Sequence, residues 1–281
     1  GTVWFSYTDE WFRGGAEVTE WQFGIVDPHR RERFCAQVIT KPPTAANNPC
    51  ISVIVCTYNG DATLGACLAS LQTLRYPNYE VLVIDDGSVK EVSDIAKDFP
   101  NVRYIRQEHA GLSVARNLGA VQAIGDIVVY TDDDCIADED WLGYLAAGFD
   151  DPQWVACGGP NIPPPARNPT ESVVACAPGA PSHVLLTDIE AEHLPGCNLA
   201  IRKSTLEAIG GFDPIYRAAG DDVDICWRLR EAGGRLRFVP GAMVWHHRRY
   251  TVSDYLRQQC GYGEAEALLM KKHPQRFGTL G

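Results

Sequence analysis

Between about residues 50 and 130, short β-branched runs alternate with segments whose apolar residues recur every three or four positions. Ile51-Ser-Val-Ile-Val-Cys56 has the near-continuous apolar character of a strand covered on both faces. Leu64, Leu68, Leu71 and Leu74 then fall on one stripe of a helix, because those spacings return to the same face. Residues 80–84 read as a second strand, 91–99 as a helix, 102–106 as a third strand, 113–124 as a helix with Ser113 at its N-cap, and 126–130 as a fourth strand. This alternation predicts an α/β fold with a mostly parallel central sheet flanked by helices, since parallel neighbours need crossovers.

The regular pattern breaks on either side of that block. Residues 1–49 are aromatic-rich (Trp4, Phe5, Trp11, Phe12, Trp21, Phe23) and end in a proline-rich run, read as an N-terminal extension and linker. The stretch 158–181, with Pro163-Pro164-Pro165, predicts a loop. Pattern resumes at 196–202 and 210–214, then at Asp221–Arg230 as a helix with acids in its first turn; 251–270 reads as an amphipathic helix. The implied organisation is an extension (1–49), a main domain (50–250) with halves at 50–160 and 161–250, and a C-terminal helix (251–281). A start on Gly1 and an end at Thr279-Leu280-Gly281 suggest a piece of a longer chain with other domains as partners.

Charge narrows the possible partners. The 281 residues carry 25 Lys+Arg against 36 Asp+Glu, a net −11, which argues against nucleic acid and anionic membranes, both held by basic residues. No apolar run approaches the roughly 20 residues of a membrane span. The ten cysteines lack a C-x-x-C pair and read as free thiols of a reducing, cytoplasmic compartment, with disulfides as the alternative.

Open parallel sheets bind ligands beyond the carboxyl ends of their strands. Here those places hold Thr57-Tyr58-Asn59, Asp85-Asp86 and Asp132-Asp133-Asp134: five carboxylates and no basic residue. Such a set repels itself unless a cation or several donors sit there. An Asp-x-Asp supplies hard oxygen ligands suited to Mg2+ or Mn2+; a solvated loop is the other reading of the triplet. Asp221 and Asp222 form a second acid pair, which the helix dipole alone would also favour.

The ordered set Val53–Gly60, Val83-Ile-Asp-Asp-Gly-Ser88, Gly111–Gly119 with its Ala-Arg116-Asn, Thr131–Asp134, Gly196-Cys-Asn-Leu-Ala200, Gly210-Gly-Phe-Asp213 and Asp221–Arg228 resembles family-2 glycosyltransferases over roughly residues 50–250. The resemblance implies a GT-A fold with a nucleotide-binding half (50–160) and an acceptor-binding, catalytic half (161–250). It also implies inverting transfer from a nucleotide-sugar donor, a UDP-sugar, to a saccharide or lipid-linked acceptor, of the kind used in polysaccharide biosynthesis, with Mn2+ or Mg2+ as cofactor.

Carried over residue by residue, the resemblance puts Thr57, Tyr58 and Asn59 at the nucleotide base, Asp86 on a base N–H, and Asp85 at the ribose or its loop. Arg116 is implied at nucleotide or phosphate, Asp134 at the metal, Asp132 at metal and ribose or donor sugar, and Asp133, the middle residue, at the nucleotide or else pointing away. His246 completes the metal set or remains a rim histidine, with Arg248 and Arg249 as phosphate partners. Gly196 and Asn198 are implied beside donor sugar and acceptor. Asp222 is implied as the general base; its neighbour Asp221 stands where the family usually has Glu, one methylene longer. Trp227 and Trp245 read either as sugar-stacking platforms or as core packing.

Two other classes compete. A sugar nucleotidyltransferase would carry a Gly-rich loop with a basic residue at 57–61, which is absent, and a binding-only module would have no need of intact acids at 132, 134 and 222. Eight acids (85, 86, 132, 133, 134, 221, 222, 224) fall in the expected site, leaving −11 + 8 = −3 for the rest of the chain.

Overall fold

In the computed structural model, which describes residues 12–13, 16–17, 48–247, 249 and 251–278, Phe12–Arg13 (β1) and Ala16–Glu17 (β2) pair antiparallel. Trp4, Phe5, Trp11, Trp21 and Phe23 of the extension, and Arg248, lie outside the described residues. Ile51–Thr57 (β3) is buried at every position because it runs between two parallel neighbours, Tyr79–Asp85 (β4) and Ile127–Asp132 (β6), with Val102–Arg106 (β5) beyond β4. Its alternation splits the core: Val53 and Val55 pack on one side of the sheet, Ile54 and Cys56 on the other.

The crossover helices follow the pattern with shifted ends. Leu64–Gln72 (α1) buries Leu64, Leu68 and Leu71, while Leu74 is buried just past the helix end. The predicted 91–99 helix is only Ser93–Lys97 (α2). Leu112–Gln122 (α3) starts before Ser113, which is not the N-cap: Gly111 turns the chain at φ +105, Leu112 N donates to Arg217 O, and Ser113 Oγ donates to Tyr216 O at 2.6 Å. β6 runs two residues further than predicted, pairing Cys56 with Asp132, so Asp132 belongs to the strand.

Past β6 come Cys135–Ala137 (β7), Trp141–Ala147 (α4), Trp154–Gly158 (β8) and Asn161–Ile162 (β9). The proline-rich stretch is more than a loop: Pro169–Cys176 (α5) forms inside it, because proline is tolerated in the first turn and Asn168 Oδ1 accepts from Glu171 N at 3.0 Å. Val184–Leu185 (β10) and Glu190–His193 (β11) precede a one-turn 3-10 helix, Gly196–Asn198. Leu199–Arg202 (β12) then inserts antiparallel between β6 and β8, followed by Lys203–Ala208 (α6), Asp221–Glu231 (α7) and Arg235–Phe238 (β13).

The main sheet has nine strands in the order β10-β11-β13-β8-β12-β6-β3-β4-β5, parallel in its β6-β3-β4-β5 part and mixed beyond β12. Val244–His246 (β14) lies between β7 and β9 in a small three-stranded sheet. Val252–Lys272 (α8) is capped by Thr251 and buries only Ala265 and Leu269. Among the described residues no helix is long and apolar enough to cross a membrane.

Two helical glycines separate tight packing from open space. A Cβ on Gly119 of α3 would stand 2.5 Å from Ile54 Cγ2, whereas one on Gly261 of α8 would meet nothing within 4 Å. Gly119→Ala is expected to destabilise by about 1–3 kcal/mol through overpacking. Gly261→Ala is expected to stabilise by roughly 0.5–1 kcal/mol, as alanine loses less backbone freedom. Urea midpoints of the two variants check this, and shifts of the same sign would contradict the packing at β3.

Candidate active site

The parallel strands β3, β4 and β6 end side by side, which brings Thr57, Asp85 and Asp132 to one edge of the sheet. Asp85 is buried and saturated: Ser88 N and Oγ donate to Oδ1 at 2.9 and 2.6 Å, and Tyr104 Oη and Arg106 Nη1 to Oδ2 at 2.6 and 2.7 Å. Burial works to raise its pKa, but these donors win and hold the carboxyl below the usual range. Asp86 is likewise engaged, by Gln107 Nε2, Ala110 N and Gly111 N at 2.6–2.9 Å, with His109 Nδ1 at 2.9 Å. Both acids therefore hold loops. Tyr58, half exposed, stacks on His109 with ring centroids 4.2 Å apart, and Asn59 ties two loops by accepting from Val89 N and donating its own N–H to Ser88 Oγ.

Asp133 does not point away. Its Oδ2 accepts from Thr57 Oγ1 at 2.5 Å, directly over Gly60, where a Cβ would sit 1.8 Å from that oxygen. Burial pushes its pKa up to about 6. Asp132 rises to about 7, again through burial, with Arg116 pulling the other way. Asp134 Oδ1 is buried without a hydrogen bond and lies 3.2 Å from His246 Nε2, with Arg249 at 3.6 Å from Oδ2. One ligand atom from each of Asp132, Asp134 and His246 lies within 4.8 Å of the others. Burial opposes charge on Asp134 and His246 alike, yet mutual pairing lowers the acid's pKa and, with Cys197, raises the imidazole's well above its ordinary value.

The second acid pair divides. Asp221 is 2% exposed and pairs with Arg116, itself 3% exposed, whose other nitrogen reaches Asp132 Oδ1 at 3.3 Å. Asp222 faces outward: its Oδ2 accepts from Gly196 N at 2.9 Å and stands 3.6 Å from His193 Nε2, and its Oδ1 accepts from Val223 N. Burial would raise its pKa, but His193, Arg116 and the Gly196 amide hold it well below the usual carboxylate range. Gly196 is required where it is, since a Cβ there would stand 2.5 Å from both terminal Arg116 nitrogens.

Some expected site residues lie elsewhere. Asn198 is fully buried, accepting from Trp141 Nε1 at 2.9 Å and donating to Pro160 O and Ala242 O, so its amide braces the chain behind the site. Asp224 turns inward to Arg228, Lys272 and His273. Asp85, Asp86 and Asp224 line neither of the two cavities described next, so five of the eight acids do. Trp227 is half-buried on a cavity wall, edge-on to His273 and Phe277.

A cavity of about 720 Å3 is lined by Tyr58, Asn59, Asp132, Asp133, Asp134, His246 and Arg249. A second, of about 580 Å3, is lined by Arg116, His193, Gly196, Asp221, Asp222 and Trp227. Asp132 and Tyr262 line both. His193 and Tyr262 carry no signal in the sequence: each reaches the site only through the placement of β11 and α8.

Residues 52–210 match the glycosyl transferase family 2. The chain belongs to that family. It is 30% identical over 249 residues to the pre-mycofactocin glycosyltransferase of Mycobacterium tuberculosis, covering 85% of this chain and 52% of that protein. It is 28% identical over 218 residues to the glucosyl-dolichyl phosphate glucuronosyltransferase of Haloferax volcanii, covering 70% and 68%. The chain thus spans about half the length of the first of these relatives. In fold it resembles the mannosyltransferase PcManGT of Pyrobaculum calidifontis, solved with GDP-Man and Mn2+, at a TM-score of 0.65 and 21% identity over 87% of this chain and 70% of that one. It also resembles residues 1–349 of S. aureus TarS, solved with UDP-GlcNAc, at 0.57 and 21% over 71% and 59%. The architecture is that of the family's GT-A fold.

Because Asp85 has a depressed pKa in the fold, its contribution to stability is complete above its unfolded value near 3.8 and is lost as pH falls through the lower folded value. Asp85→Asn is expected to lower stability at neutral pH and to flatten its loss between about pH 5 and 2. Urea unfolding across that range reads both; an unchanged slope would mean that Asp85 does not carry the acid sensitivity.

Proposed function

We propose that this chain transfers a sugar from a nucleoside-diphosphate donor, a UDP-sugar, to a hydroxyl of a saccharide or lipid-linked acceptor, with inversion. The observation that carries this reading is the shared wall at Asp132: the hard oxygen ligands Asp132 and Asp134, with the His246 imidazole, face one cavity, and the ionised Asp222 faces the other. The donor set, two carboxylates and an imidazole, with Asp134 Oδ1 buried and making no hydrogen bond, fits Mn2+ or Mg2+. Bound there, such an ion would supply positive charge against a departing diphosphate.

The remaining chemistry falls to the chain's own side chains. Tyr58 and Asn59 flank the base, and Arg249 stands beside Asp134 on the phosphate side. Asp85 and Asp86 act from behind by fixing the loops that shape this wall. In the second cavity the acceptor hydroxyl gives its proton to Asp222 as its oxygen attacks the anomeric carbon, and the bond from that carbon to the diphosphate oxygen breaks on the opposite face. Gly196 N–H and His193 hold the Asp222 carboxylate in place, while Asp221 and Arg116 hold one another. Trp227 offers an aromatic wall to an acceptor sugar. The nucleotide sugars named for the solved neighbours, and the sugar transfer named for the relatives, support this reading.

Calorimetry with UDP should show binding that Mn2+ strengthens by about tenfold or more, ~1.4 kcal/mol; absence of binding under both conditions would remove the transferase reading. Asp222→Asn should cut transfer by on the order of 100- to 10,000-fold while UDP affinity holds within about threefold. Loss of UDP affinity in that variant would mean another acid is the base. UDP binding without transfer to any acceptor would favour a binding-only module.

A further inference from the structure

Two cysteines stand beside His246, and neither behaves like Cys67, Cys157 or Cys226. Cys67, Cys157 and Cys226 each donate to a backbone carbonyl, as buried cysteines serving as small apolar residues do. Cys135 and Cys197 face each other instead. Cys135 stands directly opposite His246 in the β7–β14 ladder, and Cys197 arrives from the 3-10 helix at Gly196–Asn198. The two sulfurs and one imidazole nitrogen lie within 4.8 Å of one another, and the three residues are 1%, 3% and 6% exposed. His246 Nδ1 is buried with no hydrogen-bond partner.

We propose that Cys135, Cys197 and His246 form a binding site for a soft divalent cation of the Zn2+ class, separate in its ligands from the Asp132–Asp134 set but sharing His246 with it. Thiolate–imidazole sites hold Zn2+ with sulfur at about 2.3 Å and nitrogen at about 2.0–2.1 Å, so their ligand atoms stand roughly 3.5–3.8 Å apart. Three atoms within 4.8 Å of one another need only a small contraction to reach that. The two thiolates select Zn2+ over Mn2+ and Mg2+, which prefer oxygen. Charge also balances: a divalent cation, two thiolates and a neutral imidazole sum to zero, so the complex avoids the cost of an uncompensated buried charge. Binding releases the thiol protons. Cys197 Sγ already accepts from the Asn161 amide at 3.2 Å, which holds the sulfur in place beside His246.

One consequence is exclusion. His246 cannot serve both sets at once, so a soft cation on the sulfurs withdraws a ligand from the Asp132–Asp134 side. The thiol site itself does not depend on the sugar-transfer reading, whereas this exclusion does.

Cd2+, which reports thiolate ligation by an ultraviolet charge-transfer band, is the probe. Titration of the full chain should give a band saturating at one Cd2+ per chain, retained in a C35S/C176S/C260S variant that removes the two exposed thiols and Cys35. C135S and C197S should each weaken Cd2+ binding by at least about tenfold (~1.4 kcal/mol) while Mn2+ binding, followed by electron paramagnetic resonance, holds within about threefold. No band in the C35S/C176S/C260S variant overturns the site, and this arm does not require the core variants to fold. A band that survives both C135S and C197S overturns it as well.

Discussion

Arg116 is almost wholly buried, and its guanidinium lies between Asp132 at the end of β6 and Asp221 at the start of α7, over the rings of Tyr130 and Phe212. A buried charge with one partner removed costs on the order of 3–5 kcal/mol, so these three side chains stand or fall together. They tie the parallel, β3-β4-β5-β6 part of the sheet to the mixed part that carries α7. They also dictate Gly196, because any side chain there would overlap the guanidinium, and Gly196 in turn offers its N–H to Asp222. The position of the outward-facing acid is thus set by the inward-facing one beside it.

That arrangement separates the charges that would otherwise repel. Asp85 and Asp224 are neutralised by cations of their own away from the cavities, while Asp86 is bound by amide and imidazole donors. Burial drives Asp132 and Asp133 toward neutrality, whereas Asp134 and Asp222 stay charged because a histidine stands beside each. Two carboxylate–histidine pairs, one per cavity, are what remain once the rest of the acids are accounted for.

Much of the wall around Asp132–Asp134 is legible in the sequence, since a buried parallel strand announces itself by an unbroken β-branched run and its C-terminal end must lie on the same edge as its neighbours'. Thr57, Asp85 and Asp132 follow from that rule alone. The helix inside the proline-rich stretch is hidden, because proline at a first helical position looks the same as proline in a loop. The Ser113 cap is misread for a similar reason: a serine just inside a helix and one at its cap have the same neighbours in sequence, and the hydroxyl goes to Tyr216 O, which is far along the chain.

The sequence by itself determined the alternating strand–helix order, the edge where the parallel strands end and the identity of the acids there, because each depends on periodicity and local connectivity. Which acids face solvent, which hold loops, and that Asn198 braces the chain from behind were decided only by the tertiary structure. So were the contacts of His193 with Asp222 and of Cys135 and Cys197 with His246. These depend on β12 entering the sheet antiparallel and on β14 lying against β7, pairings between segments too distant in sequence for any local pattern to encode.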